Sequence, residues 1–290
     1  MLQPVNKRTL AKWEVQLDDI NSHCYLPSGA LQQIFEQNDI NDLLSQRLNN
    51  EQNISYLNAR GPISLRYIND AYVWWNVLQQ LHFDGSTVME IGPGTSRVVD
   101  MALALGNYSG QLVKVDYTNW QEQPTDPFIR KRFNTISYAL DITQDIKALP
   151  QVDLIVMNHF IDDLFMGIWA QSTGADYFGA AINRIDENTR CWNMAMQDAS
   201  AARRSLNCIE SLVTKVAPEG FVIIKSYPSG FETHFRQVDR VNFTFDLTNR
   251  VAAHLRKQGL HQIEVNLGRL AGPDGSRYPH SFLVFCKSTV

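Results

Sequence analysis

The sequence predicts an α/β protein in which an open sheet lies between two layers of helices, and three observations lead there. From Thr87 onward, short apolar runs alternate with longer stretches of helical periodicity, as βα units around a parallel sheet require. The first of these runs, Val88-Met89-Glu90-Ile91, passes straight into Gly92-Pro93-Gly94, a strand feeding a tight turn ahead of a helix. The chain then ends on a helix followed by two strand-like runs separated by Gly272-Pro273-Asp274-Gly275, a turn signal between antiparallel strands.

Residues 1–82 carry helical periodicity and no strand-like run, so they read as an N-terminal helical cap. Ser28 is a candidate N-cap ahead of Ala30, Leu31, Ile34 and Phe35. The strongest helix of this region is expected over Ser64 to Leu81, where Leu65, Ile68, Tyr72, Trp75, Leu78 and Leu81 recur every three or four residues behind Gly61-Pro62. The α/β domain follows over 83–290. Its strands are expected at Thr87–Ile91, Gln111–Asp116, Thr135–Ala139, Val152–Asn158 and Gly220–Ser226, with a helix opening near Arg97. A helix over Leu247–Gln258, stopped by Gly259, precedes two last strands at Gln262–Leu267 and Ser281–Cys286.

The stretch of about 160–217 between the fourth and fifth strands is too long for a plain crossover and must hold structure of its own. Its second half, from Ala181, has a partial apolar helical face through Ile182, Ile185, Trp192, Met196 and Ala199. The first half, with Gly167, Trp169, Gly174, Tyr177, Phe178 and Gly179, is expected to form a lid.

With 290 residues, 44% hydrophobic and 19% charged, the chain has the composition of a globular domain and not of a disordered tail. A formal net charge of -4 gives no overall attraction to nucleic-acid phosphates. No apolar run approaches a membrane span and no targeting segment opens the chain. Four scattered cysteines carry no zinc or redox spacing, and His23, His234 and His280 have no ligand spacing, so no metal is expected. A reducing, cytoplasmic setting fits best.

The chemistry is expected beyond the carboxyl ends of the strands, where open α/β sheets bind their ligands. The turn Gly92-Pro93-Gly94-Thr95 lets a ligand approach the backbone, and the helix behind it directs free N–H groups the same way. Asp116 ends the second strand, about twenty residues later, where a carboxylate can accept from both hydroxyls of a ribose. A dinucleotide fingerprint would want a third glycine where Arg97 stands, and would not ask for Glu90.

The sequence Glu90-Ile91-Gly92-Pro93-Gly94 resembles motif I of the class I methyltransferases, and with Asp116, Leu140-Asp141-Ile142 and the terminal hairpin the resemblance spans Thr87 to Lys287. It implies a Rossmann-like αβα sandwich: a mostly parallel seven-stranded sheet with an antiparallel last strand, here with a helical cap and a helical insertion. It further implies S-adenosyl-L-methionine as cofactor and S-adenosyl-L-homocysteine as product. The cofactor contacts it implies are Glu90 toward the methionine amino end, Gly92, Gly94 and Thr95 at the turn, and Asp116 on the ribose. Tyr117, Asp141 and Ile142 would flank the adenine, with Asn158 at the end of the fourth strand. Read alone, Asp141 serves equally as the cap of the next helical turn.

Past Asn158, the candidate catalytic residues are His159, Asp162 and Lys225. A neutral His159 imidazole would remove the proton of an oxygen or nitrogen acceptor, or merely hydrogen-bond the backbone while positioning drives the reaction. Asp162 and Asp163 would bind a polar substrate, orient His159, or cap a helix. Lys225 resembles the catalytic lysine of ribose 2′-O-methyltransferases, but Asn158-His159 stands where that family has Asp, and Pro279-His280-Ser281 lacks its Glu, so Lys225 is read as a charged group at the rim.

The leading function is methyl transfer to a small-molecule O or N acceptor. The rivals are RNA methylation on a groove of Arg130, Lys131, Arg132, Lys225, Arg236 and Arg240, aminocarboxypropyl or aminopropyl transfer from the same cofactor, and a non-catalytic binding module. Trp74, Trp75, Trp120, Trp169, Tyr177 and Trp192 would pack a core or stack an aromatic substrate. The sequence leaves the oligomeric state open.

Overall fold

The computed structural model describes residues 63–94, 96, 98–117, 133–178, 184–226, 232, 236–266 and 281–288. Thr95, Arg97, Trp120, the Arg130–Arg132 triplet, the 272–275 turn and nearly all of the expected cap lie outside them. The described elements are α1 (Ile63–Gln80), β1 (Thr87–Ile91), α2 (Val98–Leu105), β2 (Gln111–Asp116), β3 (Asn134–Ala139), β4 (Val152–Asn158), α3 (Ile161–Thr173), α4 (Ile185–Ala195), α5 (Ala199–Val213), β5 (Val216–Ser226), α6 (Val238–Lys257), β6 (Leu260–Ile263) and β7 (Ser281–Lys287).

The seven strands form one sheet in the order β3-β2-β1-β4-β5-β7-β6. Neighbours from β3 to β5 are parallel, while β7 runs antiparallel to both β5 and β6. This is the Rossmann-like αβα sandwich expected from the sequence, with a single reversed strand. The chain steps outward from β1 to β2 and β3, then returns to place β4 on the other side of β1. That reversal opens a crevice above the carboxyl ends of β1 and β4.

Strand alternation sends successive side chains to opposite faces. On one face Val88, Leu112, Leu154, Val156, Ile223 and Val284 pack with Ala71, Trp74 and Val77 of α1 and with the apolar residues of α2. On the other, Met89, Ile91, Val113, Val115, Ile155, Met157, Val222, Ile224 and Phe285 pack with α3, α4, α5 and α6. Thus α1 belongs to the helix layer of the sandwich. Local signals fix some ends: the Asp198 carboxylate accepts from the N–H groups of Ser200 and Ala201 to cap α5, and Gly174 at φ 72 closes α3.

Five expectations are corrected. The proposed lid of Gly167, Trp169 and Gly174 is instead α3, whose Ile161, Leu164, Phe165, Ile168 and Trp169 are buried at helical spacing. α6 begins nine residues before the expected Leu247, β5 begins at Val216, and β6 ends at Ile263. The expected apolar face from Ala181 is also revised, since Ile185 is 43% exposed and Trp192 carries the burial. Trp74, Trp169, Tyr177 and Trp192 are buried in the two cores, the packing alternative for these aromatics. No described helix is long and apolar enough to cross a membrane.

Candidate active site

The turn after β1 is built as the glycines suggest. Gly92 and Gly94 adopt φ 63 and 50, left-handed values that cost an L side chain strain. The Gly92 N–H donates to the Val115 carbonyl at 2.8 Å, and the Gly94 N–H donates to Asp116 Oδ2 at 2.8 Å. The turn is therefore braced on the end of β2. A Cβ on Gly92 would sit 2.5 Å from Phe160 Cδ2, so this glycine lets the exit of β4 close against β1. A Cβ on Gly94 would meet nothing within 4 Å among the described residues.

Beyond Asp116, at the carboxyl end of β2, Tyr117 is 67% exposed and not locked in the core. Asp141 is heavily used locally. Its Oδ1 accepts from the N–H and hydroxyl of Thr143, and its Oδ2 accepts from Gln144 and Gln171. The capping alternative thus describes its present bonding. Ile142 is buried, and its carbonyl lies 3.6 Å from the Cys208 thiol.

Glu90 is 1% exposed, and alternation directs it toward the α1–α2 layer. There Lys114, its register partner on β2, reaches Glu90 Oε2 at 3.1 Å and the Asp100 carboxylate at 2.7 Å. Burying three charges is tolerable because the cation is shared between the two acids. The Glu90 carboxylate therefore stands beneath the turn, held by a lysine the sequence reading had passed over.

At the end of β4 the two faces diverge. Toward the α1 layer, the Trp74 indole donates to Asn158 Oδ1 at 3.3 Å. Next to it, Lys225 approaches Asp70 Oδ1 at 3.4 Å and lies 5.4 Å from the Phe282 ring centroid. Lys225 is 1% exposed, which corrects its reading as a charge at the rim. On the opposite face, His159 has φ 56, and its N–H donates to the Lys225 carbonyl at 2.9 Å. A β4 exit in the left-handed region is strained for a residue with a Cβ, as happens where surrounding contacts dictate a side chain's direction.

His159 Nδ1 lies 3.0 Å from Asp162 Oδ1, in the first turn of α3. Burial opposes a charge on the imidazole, but Asp162, with Glu232 and Asp163 behind it, raises its pKa to about 9. Burial would also raise Asp162, yet the adjoining His159 and Arg240 hold it below the usual carboxylate range. The ring is thus charged at neutral pH, whereas the sequence reading of a base supposed a neutral imidazole. Arg240, from α6, pairs through Nε with Glu232 at 2.6 Å, stands 3.9 Å from Asp162 Oδ2 and donates to Asn188 Oδ1 at 3.1 Å. Its guanidinium carbon lies 4.1 Å from the Trp192 ring centroid. Asn188 and Trp192 in turn donate to the Tyr177 hydroxyl, whose pKa burial pushes up to about 12.

The structure therefore brings Gly92, Gly94 and Asp116 together at the ends of β1 and β2, and His159 with Asp162 beyond β4, while Asn158 and Lys225 turn to the α1 face of the sheet. Asp70, Asp100, Lys114, Asn188, Glu232 and Arg240 were missed as partners. A signal existed for two of them: Asp100 and Lys114 are single charges inside otherwise apolar runs. Of the expected basic groove, Lys225 and Arg240 are buried in ion pairs on opposite faces of the sheet, which leaves Arg236 as its exposed described member.

No protein-family model matches the sequence, and no curated protein matches it. Among solved structures, the chain is similar to the N-methyltransferase NodS from Bradyrhizobium japonicum WM9, at 13% identity over 82% of this chain and 99% of that one, with a TM-score of 0.44. It is also similar to an O-methyltransferase family protein from Burkholderia thailandensis, at 12% identity over 88% and 71%, with a TM-score of 0.44. A third is the plantazolicin methyltransferase BpumL in complex with a triazolic desmethylPZN analog and SAH, at 10% identity over 98% and 100%, with a TM-score of 0.42. At such scores the architecture rests on the strand order itself.

Proposed function

We propose that this chain is a class I S-adenosyl-L-methionine-dependent methyltransferase acting on a small-molecule oxygen or nitrogen acceptor by direct in-line transfer. The observation that carries the reading is the turn after β1, where no described residue comes within 4 Å of a Cβ on Gly94 while its N–H is held by Asp116 at the carboxyl ends of the strands. The residues present fit the group. Gly94 leaves room for a ligand to approach the backbone, and Asp116 places acceptor oxygens beside it for ribose hydroxyls. Thr95 and Tyr117 would complete the near wall, and Asp141 and Ile142 the adenine end, with Glu90 acting from beneath the turn. Bound there, the cofactor supplies a methyl group on a sulfonium, ready for displacement by a nucleophile.

The chain's own residues then align the acceptor and manage its proton. Asp162 holds Nδ1 of His159, so proton exchange with an acceptor runs through Nε2. Because the ring is charged below about 9, turnover of an acceptor that must lose a proton should climb as the pH approaches that value. Asn158 and Lys225, held by Trp74 and Asp70, brace the same strand ends from the α1 face.

Calorimetric titration with S-adenosyl-L-methionine, S-adenosyl-L-homocysteine and NAD tests this. Micromolar binding of the first two without NAD is expected. Binding of NAD in their place would overturn the reading.

A further inference from the structure

Around His159, four separate parts of the chain meet in one charged cluster. Asp162 comes from α3, Arg240 from α6, Glu232 from the segment after β5, and Asn188 with Trp192 from the inserted helix α4. Asp162, Asn188 and Glu232 are each 2% exposed and Arg240 is 8% exposed, so none is a surface charge screened by water. Glu232 occupies Nε at 2.6 Å, Asn188 accepts from one terminal nitrogen at 3.1 Å, and the other terminal nitrogen stands 3.9 Å from Asp162. The flat guanidinium meanwhile lies over Trp192.

We propose that Arg240 is a positioning residue for His159: acting through Asp162, and locked in place by Glu232, it fixes the carboxylate that holds the imidazole and ties that ring to the inserted helix α4. The inference deepens the reading of His159 as the residue that meets the acceptor, and rests on it only for the ring's role in turnover. Asp162 accepts from Nδ1–H, which fixes the tautomer of the neutral ring and leaves Nε2 as the atom that gains or loses a proton. Were the carboxylate unsupported, it could turn with the first turn of α3. With Arg240 at its second oxygen and Glu232 balancing Arg240, both of its oxygens have defined partners. The insertion thereby becomes part of the site, since moving α4 moves the guanidinium that steadies Asp162.

The titratable and charged groups facing the ring set the signs. Asp162 and Asp163 come from α3, where burial and the neighbouring Asp162 raise Asp163 to about 7, and Glu232 comes from the segment after β5, while Arg240 from α6 is the opposing cation. Asp162→Asn should lower the His159 titration midpoint by roughly 1 to 3 pH units, as expected for loss of an adjacent opposite charge. Glu232→Gln should lower it less, because Glu232 is the more distant acid. Arg240→Gln should lower it, because the carboxylate that raises the imidazole loses the partner that holds it in place. Arg240→Lys, which keeps the charge but loses the fork, should leave the midpoint near the parent value while loosening α4, read as a change in Trp192 fluorescence.

The experiment is an NMR titration of the histidine imidazoles in the full chain, with the His159 signal assigned by its loss in His159→Gln. A fall for Asp162→Asn with a smaller fall for Arg240→Gln supports the proposal. A midpoint unmoved or raised in Arg240→Gln overturns it and makes Arg240 a staple between α4 and α6 that acts on the ring by charge alone. Should Arg240→Gln fail to fold, Glu232→Gln decides, with an unchanged midpoint counting against the proposal. The titration needs no cofactor. The expected shifts in a chain that fails to bind S-adenosyl-L-methionine would therefore sustain the positioning role and reject only the methyltransferase reading.

Discussion

The two glycines after β1 should respond to the same substitution in different ways. Gly94→Ala forces an L side chain into φ 50, at a cost of about 1–2 kcal/mol, and adds no clash because the new methyl meets nothing within 4 Å among the described residues. Gly92→Ala carries a similar backbone cost at φ 63 and also drives a methyl to 2.5 Å from Phe160, a ring that is 8% exposed. Overpacking of this kind adds about 1–3 kcal/mol. Denaturant unfolding should therefore show Gly92→Ala losing roughly twice the stability that Gly94→Ala loses. In calorimetry with S-adenosyl-L-homocysteine the order reverses in meaning. The Gly94→Ala chain folds, yet its methyl occupies the space assigned to the cofactor, so affinity should drop at least tenfold, or about 1.4 kcal/mol. A folded Gly94→Ala chain that binds as tightly as the parent would refute the assignment of that space.

Other expectations follow from the same geometry. Lys114→Met leaves Glu90 and Asp100 without their shared cation in the core and should cost about 3–5 kcal/mol in denaturant unfolding; a change within the noise would mean that the buried triad is not held by this lysine. Asp116→Ala should weaken cofactor binding by about 1.5–3 kcal/mol in calorimetry, and unchanged affinity would remove Asp116 from the site. His159 is raised in the folded chain to about 9 from an ordinary 6.5, so its contribution to stability is fully present below 6.5 and is lost as pH rises through 9. Unfolding free energy measured from pH 6 to 10 should decline across that window, and Asp162→Asn should flatten the decline; a flat profile in the parent chain would contradict the His159–Asp162 pairing.

Much of the sheet was legible because its central strands are buried on both faces and read as unbroken apolar runs, as in Leu154-Ile155-Val156-Met157. The start of β5 was hidden because Pro218, Glu219 and Gly220 interrupt it where the register with β4 shifts. The first half of α6 was hidden by Val238, Val241, Phe243, Thr244 and Phe245, residues that favour strands until the burial of Val241, Thr244 and Thr248 reveals a helical face. β6 starts directly after Gly259 at φ 85, too close to the helix for a separate strand signal. For α3, two glycines and an aromatic-rich tail suggested a lid, although Ile161, Leu164, Phe165, Ile168 and Trp169 already stood at helical spacing.

The site divides in the same way. Gly92, Gly94 and Asp116 were readable because a turn and a strand end place them by local sequence alone. Lys225 was misread because its partner Asp70 lies on a helix over 150 residues earlier, a pairing that only the packed sandwich supplies. Arg240 was set among surface basic residues for the same reason, although Glu232, Asn188 and Trp192 surround it. Charge at a buried position is legible as an anomaly in an apolar run, as at Lys114, but its partner is a property of the fold.

The most direct test of the central claim is a crystal structure of the chain grown with S-adenosyl-L-homocysteine. The account predicts the ligand above the carboxyl ends of β1 and β2, with its backbone contacts at Gly94 and its ribose on Asp116. Ligand density elsewhere on the molecule, or a crevice left empty at saturating concentration, would contradict it.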